Sequence, residues 1–502
     1  MGTRGWPVRP ASPLTSSALT AAGGALAVTQ NAIVPVGNTS LTLLSNEGSD
    51  STNNSLNSRR ICYAPLGGPI TDISLGAPGF SLNNPEADLP VPYTMWNALE
   101  YPLGAPPRRF YWGGAPSITV PPGRVMPESE PRSIYIPAGT AYAVKSSVTW
   151  TGTLPLRTFL ASRLVGEWTT RGVGLADQTL DNATLVGTTT LFGFAPVVFA
   201  RYGGPPIIAG ILGDSIAAAT EDWQDQWGQL GWGRFIRNQH PWVNLSRSSD
   251  SMALYLQRDE GRSLLLRRLT HVVMQYGSND VFGGRSLLQM QADWLSIVMP
   301  MLTRGQKVIA VTILPRTTST DGWLTLANQT LTNVPQDAVR QNFNAWLRAN
   351  WAAYGCSGLL DIASRLESSG KWLADAGGVA CTFAGLSHGT ITGGAITAAP
   401  YFLYNSLYSA GVGMPSNQTA LPCEVLPYPG TGGSGATATW ATNASGGGAG
   451  TAATVVTGGS GYTYPPMISP LSAYCGDGIH PNARGRAVAL TAEGFGPGMF
   501  TP

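Results

Sequence analysis

The sequence predicts an α/β protein: a parallel sheet covered by helices on both faces, preceded by a β-rich domain of sandwich or jelly-roll type and interrupted by a Gly-rich β insertion. Three observations carry that expectation. Short β-type runs broken by Pro and Gly fill the chain from Ile33 to Arg201; from Ile207 strand-like runs alternate with segments of helical period; and between Asp375 and Asp477 the only charged residue is Glu424. Strand and helix in alternation point to a parallel sheet, whereas sequence dominated by Gly, Thr, Ala and Ser cannot continue one.

Composition sets the limits. At 502 residues the chain holds roughly three domains, or fewer if one is a large β structure. Charged residues are only 12%, and 62 Gly with 38 Pro favour turns and short strands over long helices. The net charge of +2, with no dense Lys/Arg run, argues against a nucleic-acid partner. Arg258, Arg262, Arg267 and Arg268 come closest, but Asp259 and Glu260 share the segment, which reads as a solvated helix face. Cys62, Cys356, Cys381, Cys423 and Cys475 lack C-x-x-C spacing, so neither a zinc site nor a disulfide framework is indicated, although one pair could bridge. Arg4 and Arg9 precede Ala18–Val28, a stretch too short and too poor in a cleavage site to read as a signal peptide. No run approaches the roughly 18 apolar residues of a membrane helix, so no membrane span is expected.

In chain order, residues 1–35 read as an N-terminal arm and 36–203 as the β-rich domain, its clearest strands being Ser133–Ile136, Ala141–Trp150, Thr188–Phe194 and Val197–Arg201. Residues 204–374 form the first part of the α/β unit. Its strands are Ile207–Leu212, Val243–Ser246, His271–Tyr276, Val308–Leu314 and Leu359–Ile362, and its helices Ile216–Asn238, Ser251–Arg268, Leu287–Leu302 and Gln336–Ala353. Residues 375–474 are the Gly/Thr-rich insertion. Its second half, from Gly432-Gly433-Ser434-Gly435 to Gly458-Gly459-Ser460-Gly461, resembles the Gly-rich β modules of phage tail-fibre and bacterial surface proteins, with a flexible low-complexity loop as the plainer reading. Residues 475–502 return to the α/β unit, with a terminal helix over Ala483–Gly494.

Nucleophilic hydrolysis needs a hydroxyl or thiol at a sharp turn, a base, a carboxylate to hold that base, and donors for the oxyanion. Only four histidines are present, His240, His271, His388 and His480, and only His480 has a carboxylate close by, in Asp477-Gly478-Ile479-His480-Pro481. The strand Ile207–Leu212 runs into Gly213-Asp214-Ser215-Ile216 at the start of a helical segment, where backbone N–H groups and the helix dipole favour a developing anion. Asp and Ser there also fit an ordinary helix cap. Gly277-Ser278-Asn279-Asp280 follows a later strand, and Asn279 fits a turn residue as well as an amide donor. Both segments fall at carboxyl ends of strands, where open α/β sheets build their sites.

These three blocks, in this order, resemble the conserved motifs of SGNH (GDSL) hydrolases. The resemblance covers about Ile207–Ile362 and Cys475–Gly494, and the tracts Thr312–Thr320 and Arg340–Asn344 are similar to a bacterial and phage subgroup. It implies a flavodoxin-like three-layer fold, Ser215 as nucleophile, His480 as general base and acid, and Asp477 as its orienting carboxylate. It also implies an oxyanion hole built from Asn279 and the Ser215 backbone N–H, with Gly213, Asp214, Gly277 and Asp280 as supporting motif residues. The family's second block normally presents a Gly as the third oxyanion donor, and its place here falls on Ser249, whose backbone N–H survives the change but whose Cβ would strain a backbone needing positive φ. Gly385-Leu386-Ser387-His388-Gly389 also fits the G-x-S-x-G elbow of another hydrolase fold, but Thr390-Ile391-Thr392-Gly393-Gly394 is a poor start for the helix an elbow needs.

The resemblance implies an esterase that works through an acyl-enzyme without metal or organic cofactor. The β-rich domain and uncharged insertion point to ester groups on a surface polysaccharide, O-acetyl first. The arm and fibre-like segment point to a component of a phage or phage-like particle, placed on the virion or outside the cell, with particle proteins as partners of the N-terminal region. A secreted or periplasmic bacterial esterase or lipase, and a non-catalytic structural or glycan-binding virion protein, are the alternatives. Trimers, rings and monomers are all compatible with exposed β-edges, so homo-oligomers are left open.

Overall fold

The computed structural model describes residues 33–36, 48–82, 85–158, 166–181, 192–193, 196–219, 231–236, 238–378, 387–398, 420–428, 430–441, 453–491 and 497–501. The strand-rich N-terminal region contains antiparallel sheets. One runs Trp168–Gly172, Ser55–Tyr63, Ala141–Trp150, Tyr93–Glu100 and Arg108–Arg109, with Ile118–Val120 also on Tyr93–Glu100. Another runs Ile33–Pro35, Val197–Tyr202, Ile70–Gly76 and Arg132–Ile136. Side chains of both, among them Leu56, Ile73, Leu75, Tyr93, Tyr142, Val144 and Phe199, belong to one buried cluster. Ile33–Pro35 is thus a sheet strand, not part of an arm: it pairs antiparallel with Val197–Tyr202, and Val34 joins the buried cluster with Ile33 packed against it. The rest of that arm, and most of the strand expected over Thr188–Phe194, lie outside the described residues.

The α/β unit is a five-stranded sheet of Ala209–Gly213, Trp242–Asn244, His271–Gln275, Lys307–Val311 and Gly358–Leu360. All pairs are parallel, and the spatial order, counting strands along the chain, is 2-1-3-4-5. That is the flavodoxin-like order, whose topological switch lies between strands one and three. Alternate residues of each strand leave on opposite faces. Leu212, Val272, Met274, Val308 and Ala310 join the cluster that holds the long helices, whereas Ile211, Val273, Ile309 and Val311 join one with Trp232, Ile236, Ala487 and Leu490. Burial on both sides explains why these strands read as unbroken apolar runs.

Helix Leu287–Thr303 starts at a capping box between Ser286 and Gln289 and buries Met290, Trp294, Ile297, Val298 and Met301 along one stripe. Helix Val334–Asn350 is capped by Asn333 and packs beside it, with Trp294 edge-on to Trp346 at 5.5 Å between centroids. Two expectations fail nearby. Residues 216–219 of the helix expected over Ile216–Asn238 form a turn instead: Ala218 N–H bonds to Asp214 C=O, but Ala219 at φ 68° ends it; Gly233–Ile236 is a short helix, and residues 220–230 lie outside the described residues. The segment Ser251–Arg268 splits into Met252–Tyr255 and Glu260–Leu266, and Arg262, expected on a solvated face, is fully buried among carboxylates.

The insertion is ordered sheet where it is described, which overturns the flexible-loop alternative there. Ser387–His388, Met467–Pro470, Leu421–Leu426, Ser434–Trp440 and Thr454–Ser460 lie side by side in that order, all antiparallel. Glu424 is bonded by Arg484 Nε and Nη2 at 3.0 and 2.8 Å, which ties the insertion to helix Ala483–Leu490. Cys62, Cys356, Cys423 and Cys475 are unbridged, and Cys381 lies outside the described residues. Among the described residues, no helix is long and apolar enough to cross a membrane.

Arg340 shows how buried charge organises the sheet's carboxyl edge. Its guanidinium bonds Asp337 at 2.6 Å, Glu367 at 2.7 and 3.0 Å and the Ile313 carbonyl at 3.0 Å, with no exposure to solvent. Asn344 holds both the N–H and C=O of Ile313 at 2.8 Å. Truncation by Arg340→Ala would strand two carboxylates, and urea unfolding should register a loss of about 3–5 kcal/mol. A loss under about 1 kcal/mol would show that the cluster is solvated and adds little.

Candidate active site

Gly213 ends the first strand where its neighbour approaches so closely that a Cβ would sit 2.1 Å from the Gln275 carbonyl oxygen. The chain then turns sharply and presents Ser215 at the strand's carboxyl end. Asp214 points back into the protein, where its Oδ1 accepts the Ile216 N–H at 2.9 Å. Ser215 is half-buried, and its Oγ lies 2.7 Å from His480 Nε2. On the far side of the ring, Nδ1 lies 2.6 Å from Asp477 Oδ2. A carboxylate can only accept, so Nδ1 carries the proton and Nε2 is left to accept from the serine hydroxyl.

The loop carrying Asp477 and His480 is held from several directions. Asp477 Oδ1 accepts the backbone N–H groups of Ile479 and His480, both at 2.8 Å. Burial acts to raise this carboxyl, but the His480 side chain and these N–H donors outweigh it and hold it at about 2. Gly478, at φ 81°, lies against the Thr317 carbonyl so tightly that a Cβ would fall 1.8 Å from its oxygen. Its own carbonyl accepts the Thr317 N–H and Trp372 Nε1–H. Cys475 Sγ receives the Gly478 N–H at 3.0 Å, and Asn482 caps the helix that follows.

Across the switch point, Gly277 adopts φ 120°, and a Cβ there would strike Ile313 Cδ1 at 2.3 Å. Helix Ser278–Phe282 begins at once, and Asn279 on it is oriented at both ends. Its Nδ2 donates to the Asp250 carbonyl at 2.8 Å, and its Oδ1 accepts from Arg316 Nη2 at 2.7 Å. Arg316 thereby fixes which end of the amide is the donor. Arg316 belongs to no motif among Gly213–Ile216, Gly277–Asp280 and Asp477–His480; its one signal in the sequence is a lone Arg just past a strand's carboxyl end, within Thr312–Thr320. Asp280 does not face the site: its carboxylate caps helix Met252–Tyr255 by accepting from Met252 and Ala253 N–H at 3.0 and 3.2 Å. Ser249 adopts φ 61°, the left-handed backbone that a Gly would hold without strain, so the departure from the family pattern keeps the conformation and bears the cost.

The other histidines are elsewhere. His271 opens the third strand at the opposite end of the sheet, bonded to Thr270 and the Thr501 carbonyl, and burial lowers it to about 4. His240 is likewise lowered to about 4 by burial. Ser387 and His388 pair with Ile468 and Met467 in an edge strand and are followed by another strand, so no helix completes an elbow. Among the described residues, no group of three or more His, Cys, Asp or Glu is placed to hold a metal ion.

Asp214 is fully buried, and its Oδ2 has no hydrogen-bond partner among the described residues. Burial pushes its carboxyl up from 3.8 to about 7, against the opposing pull of the Ile216 N–H and Arg316. Between those values the folded chain keeps a proton that the unfolded chain has released, so this residue lowers stability as pH rises through the window. Asp214→Asn keeps the Ile216 contact and removes the titration. Urea unfolding at about pH 5 and about pH 8 should show the variant gaining about 2–3 kcal/mol on the parent at the higher pH. Parallel pH dependence would mean that Asp214 is ionised in the folded protein.

Residues 211–379 match the family model of the GDSL-like Lipase/Acylhydrolase family, a segment that stops short of the Asp477–His480 loop. No curated protein matches the chain. Similar solved structures include a putative acylhydrolase from Bacteroides fragilis, 18% identical over 32% of this chain and 71% of that one, with a TM-score of 0.24. A GDSL-like lipase from Bacteroides thetaiotaomicron is 16% identical over 33% and 73%, with a TM-score of 0.25. An acetyl xylan esterase is 16% identical over 31% and 77%, with a TM-score of 0.24. Residues 211–379, about a third of the chain, are thus the part that is similar to the GDSL-like Lipase/Acylhydrolase family.

Proposed function

We propose that this chain is a serine esterase that removes O-acetyl groups from a surface polysaccharide through an acyl-enzyme on Ser215, as a component of a phage or phage-like particle. The observation that carries the catalytic part is the unbroken hydrogen-bond chain from Ser215 Oγ through His480 to Asp477. In this reading His480 Nε2 takes the hydroxyl proton as Ser215 Oγ attacks the ester carbonyl, and Asp477 stabilises the imidazolium that results. The tetrahedral oxyanion faces the Ser215 N–H, the Ser249 N–H and the second hydrogen of Asn279 Nδ2, the first being spent on Asp250. Collapse breaks the bond to the alcohol oxygen, which leaves with the proton from His480. Water, deprotonated by His480, then attacks the acyl carbon; collapse of this second intermediate breaks the bond to Ser215 Oγ, which takes the proton back from His480 as the acid leaves.

The substrate class is supported by the setting: a strand-rich region precedes, and a nearly uncharged sheet insertion interrupts, the α/β unit that carries the site. Attachment to a particle is supported by the fibre-like Gly-rich sequence from Gly432 to Gly461 and by the composition of residues 1–32.

Hydrolysis of p-nitrophenyl acetate and p-nitrophenyl octanoate checks the reading. Ser215→Ala should lower kcat on the acetate by about 10⁴-fold or more, Asn279→Ala by about 10²–10³-fold, and Ser387→Ala not at all. Activity that survives Ser215→Ala but not Ser387→Ala would move the nucleophile to the insertion. Cleavage of octanoate with no acetate released from acetylated glycans would remove the deacetylase assignment, and absence of the protein from purified particles by immunogold microscopy would remove the particle assignment.

A further inference from the structure

We infer that the strand-rich N-terminal region supplies a positioning residue, Glu86, that holds the oxyanion side of the esterase site in place. The inference rests on the esterase reading above and concerns a part of the chain outside the matched domain. Phe80–Ser81 and Ala87–Asp88 pair as a small hairpin that projects from the strand-rich region onto the α/β unit. Phe80 has no exposed surface, and its ring lies where a Cβ on Gly261 would fall, 2.4 Å from Cδ2. The Leu82 carbonyl accepts from Arg247 Nε, on the chain that leaves the second parallel strand. Glu86 then reaches the start of helix Glu260–Leu266, where its two oxygens accept the Gly261 and Arg262 N–H groups at 2.7 and 3.0 Å.

From Glu86 a line of buried contacts leads to the site. Arg262 Nε lies 3.4 Å from Glu86 Oε2, and its Nη1 donates to Asp250 Oδ2 at 2.6 Å. Tyr276 donates to the same oxygen at 2.7 Å, and the Arg262 guanidinium stacks over Tyr255 at 4.6 Å. Glu86, Arg262 and Asp250 are all wholly buried. The Asp250 carbonyl is the acceptor that fixes Asn279 Nδ2, and the residue before it is Ser249 with its left-handed backbone. A hairpin that served only to bury apolar surface would need none of these charges, and a buried charge set is costly unless each member is paired. Here its pairing ends on the peptide between two oxyanion donors.

A double-mutant cycle between Glu86→Gln and Asn279→Ala tests this, with kcat and KM on p-nitrophenyl acetate referred to the Ser215 titrated by a fluorophosphonate, so that only folded, competent sites are counted. Glu86→Gln should lower kcat about tenfold with KM nearly unchanged, yet cost less than about twofold further once Asn279 is already Ala, because the residue acts through the donor that is gone. Tyr276→Phe, a milder cut in the same line, should give a smaller loss with the same non-additivity, and it stands in if Glu86→Gln yields too little titratable protein. Equal losses with and without Asn279, or an unchanged kcat in both variants, would overturn the inference. Full activity in Asn279→Ala alone would overturn instead the oxyanion reading beneath it, and the inference with it.

Discussion

The hydrogen bond between Ser215 Oγ and His480 Nε2 joins residues 265 positions apart, and much of the molecule's construction keeps those two atoms at 2.7 Å. Parallel strands bring every strand-to-helix turn to the same end of the sheet, but only the reversal of order between strands one and three opens a crevice there. Ser215 stands on one wall and Asn279 on the other. His480 comes from a loop that belongs to no strand of this sheet. It depends instead on the backbone contact between Gly478 and Thr317, which is why a Gly with φ 81° sits between the two acid–base residues.

Much of this was legible in the sequence, because the features concerned are local. Strands buried on both faces are apolar throughout, so Val272-Val273-Met274 and Val308-Ile309-Ala310 announce themselves. Asp477 and His480 are three residues apart, and the strain expected at Ser249 follows from its lacking the freedom of a Gly. What was not legible depends on tertiary contact. Arg262 lies among acidic neighbours in sequence, as a surface residue would, yet its partners Glu86 and Asp250 come from distant turns. The described turn after Ser215 carries helix-forming alanines, but Ala219 takes a left-handed backbone with Gly231 packed against it. Arg316 acts on Asn279 across the crevice, a relation that spacing along the chain does not encode.

Arginine takes an unusual structural share for a chain this poor in charge. Arg234, Arg262, Arg340, Arg484 and Arg486 are among the largest fully buried side chains. Arg340 binds the strand-four loop to its helix, Arg262 joins two regions of the protein, and Arg484 holds Glu424 and Asp375. A planar guanidinium can satisfy several acceptors from different segments at once, which an apolar side chain cannot. These buried arginines therefore stand at junctions between elements.

The two ends of the Gly/Thr-rich segment meet: a Cβ built on Gly378 would lie 3.0 Å from the Ser472 carbonyl carbon. The segment leaves the α/β unit and re-enters it at nearly the same place, directly before the loop that bears Asp477. Closing a longer chain between fixed ends costs only about 0.6 kcal/mol for each doubling of length. Chain closure therefore sets little limit on the length of the insertion, while the acid–base pair that follows it keeps its mooring at Thr317.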